Sequence, residues 1–320
     1  SSKQSPRQGP PGASPGMAGS EPTQQPPGPV PVLPFAVDAT SHSAPRPLHS
    51  LARKRWSPLL PALAAAILLS LTEITRRIAV GEGHCDTVVN GTAVRIDIPA
   101  ISPATRTSLE RWIWTVGVDL TWLVLLVPSM ALGWEVLRAA EQRCCCLPMG
   151  QLSFALLAVG SLFLVGEATI PLQLDVLDPG AVLTTQSVVH LSCAGVMFLA
   201  LLLHGGVTTL WQCCLPAGQR IFGRTSLALK ACVVGLALLS LSGVVPFALI
   251  MLCPTAVRAP EVLLANLGGL SQRCIVACIT FYLATYSLEI HALRRRILEE
   301  EESSRQARAQ EDCGQLLNLA

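Results

Sequence analysis

Charge is what this chain has least of. Only 14% of its 320 residues are Asp, Glu, Lys or Arg, against about 25% in a soluble domain. The 23 basic and 21 acidic residues leave a net charge of +2. So thin a charged surface argues against a soluble enzyme, and so small a basic excess cannot track a phosphate backbone, which excludes nucleic acid as a partner. Catalytic signatures are missing too. There is no nucleophile elbow, no phosphate-cradling loop, no His-x-x-x-His and no carboxylate pair at a defined spacing. The chain therefore reads as a non-enzyme with no cofactor and no metal site. Nothing alternates as a barrel strand would. No cleavable signal peptide is visible, because the first apolar run lies too deep in the chain.

What is abundant is apolar surface, at 51% of residues. A helix needs about 20 mostly apolar residues to cross roughly 30 Å of hydrocarbon. Six segments qualify, at 57–75, 112–134, 152–170, 187–209, 231–252 and 274–293. In lipid the backbone must satisfy its own hydrogen bonds, so these spans must be helices. The expected fold is all-α: a polytopic integral membrane protein with a Pro-rich disordered tail over 1–56, a six-span domain over 57–293 and a charged tail over 294–320. Half of the 24 prolines lie within residues 1–50. Such a stretch cannot bury enough apolar surface to offset its chain entropy. Its PxxP spacings between Pro26 and Pro34 suit an SH3 or WW groove. Because residue 1 is Ser, the chain reads as a fragment or a processed product.

Orientation rests on two signals. Basic residues concentrate on one side, at Arg46, Arg53, Lys54 and Arg55, Arg138 and Arg143, Arg220, Arg224 and Lys230, and Arg294 to Arg296. Fewer fall on the other, and Arg76-Arg77 there argues against the assignment. The only N-glycosylation sequon, Asn90-Gly-Thr92, falls in the longest inter-helix loop, on the side left for the lumen. Both termini are then cytosolic, in an endomembrane (endosome or lysosome) or the plasma membrane.

The 12 cysteines sort by compartment. Cys85 and Cys253 fall on the lumenal side, where either a bridge or two unpaired thiols fits. Cys144-Cys145-Cys146 and Cys213-Cys214 fall on cytosolic loops that share the pattern Cys-Cys-Leu-Pro-x-Gly-Gln. Clustered thiols beside a span are sites for S-palmitoylation. A four-thiolate metal site and plain buried thiols are the rivals. The recurrence, and a Glu placed alike in spans 1 and 3, hints at three related helical hairpins.

Four ionisable groups fall in the lumenal half of the spans: Glu73, Asp119, Glu167 and His190. Such groups are costly in lipid and mark function by default. Facing one cavity, they would form an acidic vestibule for a cation or a proton relay. Otherwise they reach the headgroup zone, with Arg76 and Arg77 spaced to pair with Glu73. Asp119 is deepest, about 10 Å in from Trp112 at 1.5 Å per residue. His204 reads as a cap on the cytosolic end of span 4. Near the C-terminus, Asp312, Leu316 and Leu317 match the acidic dileucine form that clathrin-adaptor-type machinery binds as an extended peptide.

Two functions follow. The first is a non-enzymatic regulatory or organising protein that holds membrane-protein partners through lipidated loops and flexible tails. The alternative is a cation- or proton-coupled transporter or channel using the lumenal acids.

Overall fold

A computed structural model describes residues 51–89, 92–141, 148–173, 184–216, 220–252 and 261–319. The Pro-rich stretch, Asn90, Cys144, Cys145, Cys146 and Cys253 lie outside the described residues. The rest is overwhelmingly helical, in the order α1 Leu59–Gly81, α2 Ile101–Ala104, α3 Ser108–Thr121, α4 Val127–Glu141, α5 Met149–Thr169, α6 Thr185–Cys214, α7 Arg224–Leu252 and α8 Glu261–Leu319. A π-helical turn, Trp122–Leu126, joins α3 to α4 without a break. Six helices are long and apolar enough to cross a membrane, with α3 and α4 counting as one. One feature departs from the all-α expectation: an antiparallel ribbon of β1 (Thr87–Val89) on β2 (Thr92–Val94), with Val88 opposite Ala93.

The outward faces carry the bulky apolar side chains. Leu239, Leu210, Leu123 and Leu199 are all more than 60% exposed, whereas Ser153, Thr75, Thr208, Gln212, Lys230 and His204 are buried. A water-soluble bundle has the reverse pattern. Interior hydroxyls are tolerable because each answers to its own helix: Thr75 donates to the Leu71 carbonyl, Thr121 to Gly117, Ser129 to Leu125 and Thr280 to Val276. Two glycines let helices close in. A Cβ on Gly160 of α5 would lie 2.5 Å from Leu201 Cγ of α6, and one on Gly117 of α3 would lie 2.6 Å from Leu71 of α1. Close approach over small residues is how packing gains energy where lipid offers no hydrophobic drive. The most extensive pairings are α5 with α6 and α7 with α8; α1 packs on α8 and α3.

The helices overrun the expected spans. Six further residues extend α1 past 75, because Glu73 neutralises both Arg76 and Arg77 on the same face. Helix α8 runs unbroken through the boundary expected at 294, its 59 residues far exceeding a span. Its backbone is still helical at Asp312, Leu316 and Leu317, where an extended peptide was expected. Helix α6 continues ten residues past His204, which is therefore buried mid-helix and not a cap.

The β-ribbon marks one end of the bundle. There the segment after β2 crosses the helix ends, held by side chains of α8. Asn266 Oδ1 accepts from the Ile98 amide at 2.7 Å and Gln272 Oε1 from the Ile101 amide at 2.8 Å. Arg273 donates to the Pro99 and Thr72 carbonyls, each at 3.0 Å.

Candidate functional site

Helix α6 presents a buried stripe, His190, Cys193, Ala194, Met197, Leu201, His204 and Thr208, at the three- and four-residue spacing of one helical face. Each of its two histidines sits in an ionisable cluster.

At the ribbon end, Glu167 of α5 meets His190 of α6. Their Oε1 and Nε2 atoms are 3.7 Å apart, and both side chains are more than nine-tenths buried. Trp114 of α3 donates Nε1–H to Glu167 Oε2 at 3.2 Å. His190 Nδ1 lies 2.6 Å from the Ile170 carbonyl. A carbonyl only accepts, so Nδ1 carries a proton and Nε2 is the nitrogen turned to the carboxylate. Nε2 has no hydrogen-bond partner. Cys193, one turn along α6, is buried against Gly166, beside Glu167.

At the opposite end, Lys230 of α7 is completely buried. Its ammonium donates to Thr285 and lies 3.5 Å from Glu289 Oε2, both on α8. Ser226 donates to the other Glu289 oxygen. Three rings enclose the ammonium, with centroids at 4.8 Å (Phe222), 4.8 Å (Tyr282) and 4.4 Å (Tyr286). Such faces attract a cation most when water is excluded. The Tyr286 hydroxyl reaches His204 Nε2 at 3.2 Å, while His204 Nδ1 donates to the Ser153 carbonyl at 2.8 Å. Tyr286 thus touches both His204, through its hydroxyl, and the ammonium, through its ring face.

Between the clusters lie three small cavities. The first, about 50 Å³ open to water-sized molecules, has Glu167 and Trp114 in its wall with Leu68, Thr72, Gln272 and Thr280. A second, about 30 Å³, reaches Tyr286 and shares Leu164, Leu201 and Leu283 with the first. A third, about 20 Å³, touches His204 and Tyr282. A water needs about 10–15 Å³ by the same measure, so each has room for one, but the walls are mainly apolar and offer it few polar partners.

The other expected residues scatter. Glu73 stays at the surface, held by Arg76 Nε at 2.8 Å and Arg77 Nε at 2.7 Å, and it is not in the cavity wall. Asp119 is half-buried, with Oδ1 unpartnered, one turn before the π-helical segment; the described cavities do not include it. Cys85 packs with Ala79 and Ala104. Cys213 and Cys214 are exposed at the end of α6. Among the described residues, no group of three or more His, Cys, Asp or Glu is placed to hold a metal ion.

Sequence reasoning missed Lys230, Glu289, Tyr282 and Tyr286, and also Glu110, which is fully buried at the start of α3 against His84 Nδ1 at 2.6 Å. The signal for Glu110 was present: Thr107-x-x-Glu110 is a helix-start pattern. In the sequence Lys230 reads as a cytosolic flank because it adjoins a span boundary. No protein-family model, curated protein or solved structure matches this chain.

Proposed function

We propose that the protein is a six-span membrane protein that couples solute movement to protons passing along α6. The supporting observation is the pair of buried histidines on one face of that helix, each tied to an acid or base cluster, with water-sized cavities between. They are fourteen residues apart, about 21 Å along the axis. That covers most of the roughly 30 Å of hydrocarbon. With both termini cytosolic, the ribbon end faces the lumen and protons enter at Glu167–His190. Along the cavities they pass to His204 and Tyr286, beside the fixed Lys230–Glu289 pair at the far end. Buried ionisable groups inside a bundle are retained at a cost, and relays are what such groups serve.

The test uses purified protein in vesicles with a trapped pH-sensitive dye and an imposed membrane potential. Proton entry should exceed that of protein-free vesicles, and Glu167→Gln and His204→Gln should each return it to background. A wild-type rate no faster than bare lipid refutes the reading.

A second reading, a lipidated organiser of membrane partners, is favoured by one observation. Cys213 and Cys214 are exposed where α6 ends, and Arg220 pins the following turn by donating to the Leu215 and Cys213 carbonyls. Thiols so presented are open to an acyltransferase. Acyl-exchange labelling undiminished when Cys144, Cys145, Cys146, Cys213 and Cys214 are all replaced by Ser removes it.

A further inference from the structure

We infer that the row of cavities beneath Glu167 binds a long-chain primary amine, its ammonium against the Glu167 carboxylate and its alkyl tail running between α5, α6 and α8 toward Tyr286. The inference deepens the proton-transport reading, and its exchange step rests on that reading.

Three observations carry it. First, Glu167 is the one charged side chain in the wall of the first cavity, and the other polar ones there, Thr72, Gln272 and Thr280, are uncharged. A carboxylate at the end of an apolar space selects a cationic head and repels an anionic one. Second, the space is long and narrow. Its wall on α8 runs from Gln272 to Tyr286, fourteen residues or about 21 Å. The two cavities share Leu164, Leu201 and Leu283 in their walls. On this inference the tail displaces those leucines and passes from one cavity into the other. Third, the native partner of Glu167 is held loosely. His190 Nε2, nine-tenths buried, stands 3.7 Å off without a hydrogen bond. An ammonium at hydrogen-bond distance outcompetes it.

The groups facing Glu167 are His190 and Cys193 on α6, Trp114 on α3 and Ser102 on α2. Arg273 on α8 is turned to the Pro99 and Thr72 carbonyls. On the proton-transport reading the ammonium takes the place of a proton carried by the Glu167–His190 pair, one positive charge for one, so the site's charge is unchanged.

The full-length chain in detergent is titrated by calorimetry with hexadecylamine, octylamine, hexadecanol and hexadecanoate. Hexadecylamine should bind about tenfold or more tighter than hexadecanol, as expected for a charge-assisted bond, and tighter than octylamine. Hexadecanoate should bind weakest. Glu167→Gln should erase the preference for amine over alcohol. Leu201→Trp, which fills the channel and spares the carboxylate, should erase the preference for the longer chain. Equal binding of amine, alcohol and acid, or preference for the acid, overturns the inference; the wild-type series alone decides this if a variant fails to fold. Amine binding without proton flux removes the transport reading and keeps the site. Flux without amine binding does the reverse.

Discussion

The two buried ion pairs differ in how completely they are satisfied. Lys230 and Glu289 are saturated: a serine, a threonine and three aromatic rings occupy every side of the charges. Glu167 and His190 are underfilled, with a gap of 3.7 Å, an unpartnered Nε2 and a cavity alongside. Removing a charge from water costs several kcal/mol, recovered only by good geometry and full hydrogen bonding. The saturated pair meets that condition and fixes α7 to α8. The underfilled pair keeps a capacity for change, as the proposed proton-exchanging site would require. Its proximity to an internal space sets it apart.

This contrast can be broken by mutation. The largest effect is expected from Lys230→Met alone, which leaves Glu289 buried without its cation and should cost about 3–5 kcal/mol. Thermal unfolding in detergent measures it, and the double variant Lys230→Met, Glu289→Leu should recover most of the loss. A double variant no more stable than the single one would show that the saturated pair is not self-contained. Next, Gly160→Val forces a side chain into Leu201 and should destabilise by about 1–3 kcal/mol, while also narrowing the cavities. Tyr286→Phe removes one hydrogen bond to His204 and should cost about 1 kcal/mol; in vesicles it should slow proton entry far more than that loss of stability would suggest. Smallest is Arg77→Ala. Its pairing with Glu73 is a surface contact, with Arg77 three-quarters exposed, so the unfolding midpoint should shift by less than about 1 kcal/mol.

How much of this is readable in the chain depends on distance. The six spans are, because hydrophobic runs of that length have few other uses. Glu167 stands out as the lone charged residue in its apolar run, and His190 because its run holds no charged side chain and only one other histidine. Lys230 and Glu289 do not, since both adjoin charged flanks and are 59 residues apart. A window that scores local hydropathy reads them as edges. What identifies them is the stripe of Tyr282, Tyr286 and Glu289 on one face of α8, opposite Ser226 and Lys230 on α7. That match needs the partner helix to be known. The extent of α8 was hidden for a related reason: once charges pair along a helix, as in Arg295 with Glu299 at 3.5 Å, nothing stops the helix at the edge of the apolar run.

The length of α8 has a consequence of its own. At 1.5 Å per residue its 59 residues extend about 88 Å, so one rod carries the polar latch at Arg273 and the aromatic cage and runs on well past both. Any tilt imposed where the rod is clamped is magnified farther along it, as at the point of a compass needle. Whatever touches that stretch would be reading the state of the bundle's interior.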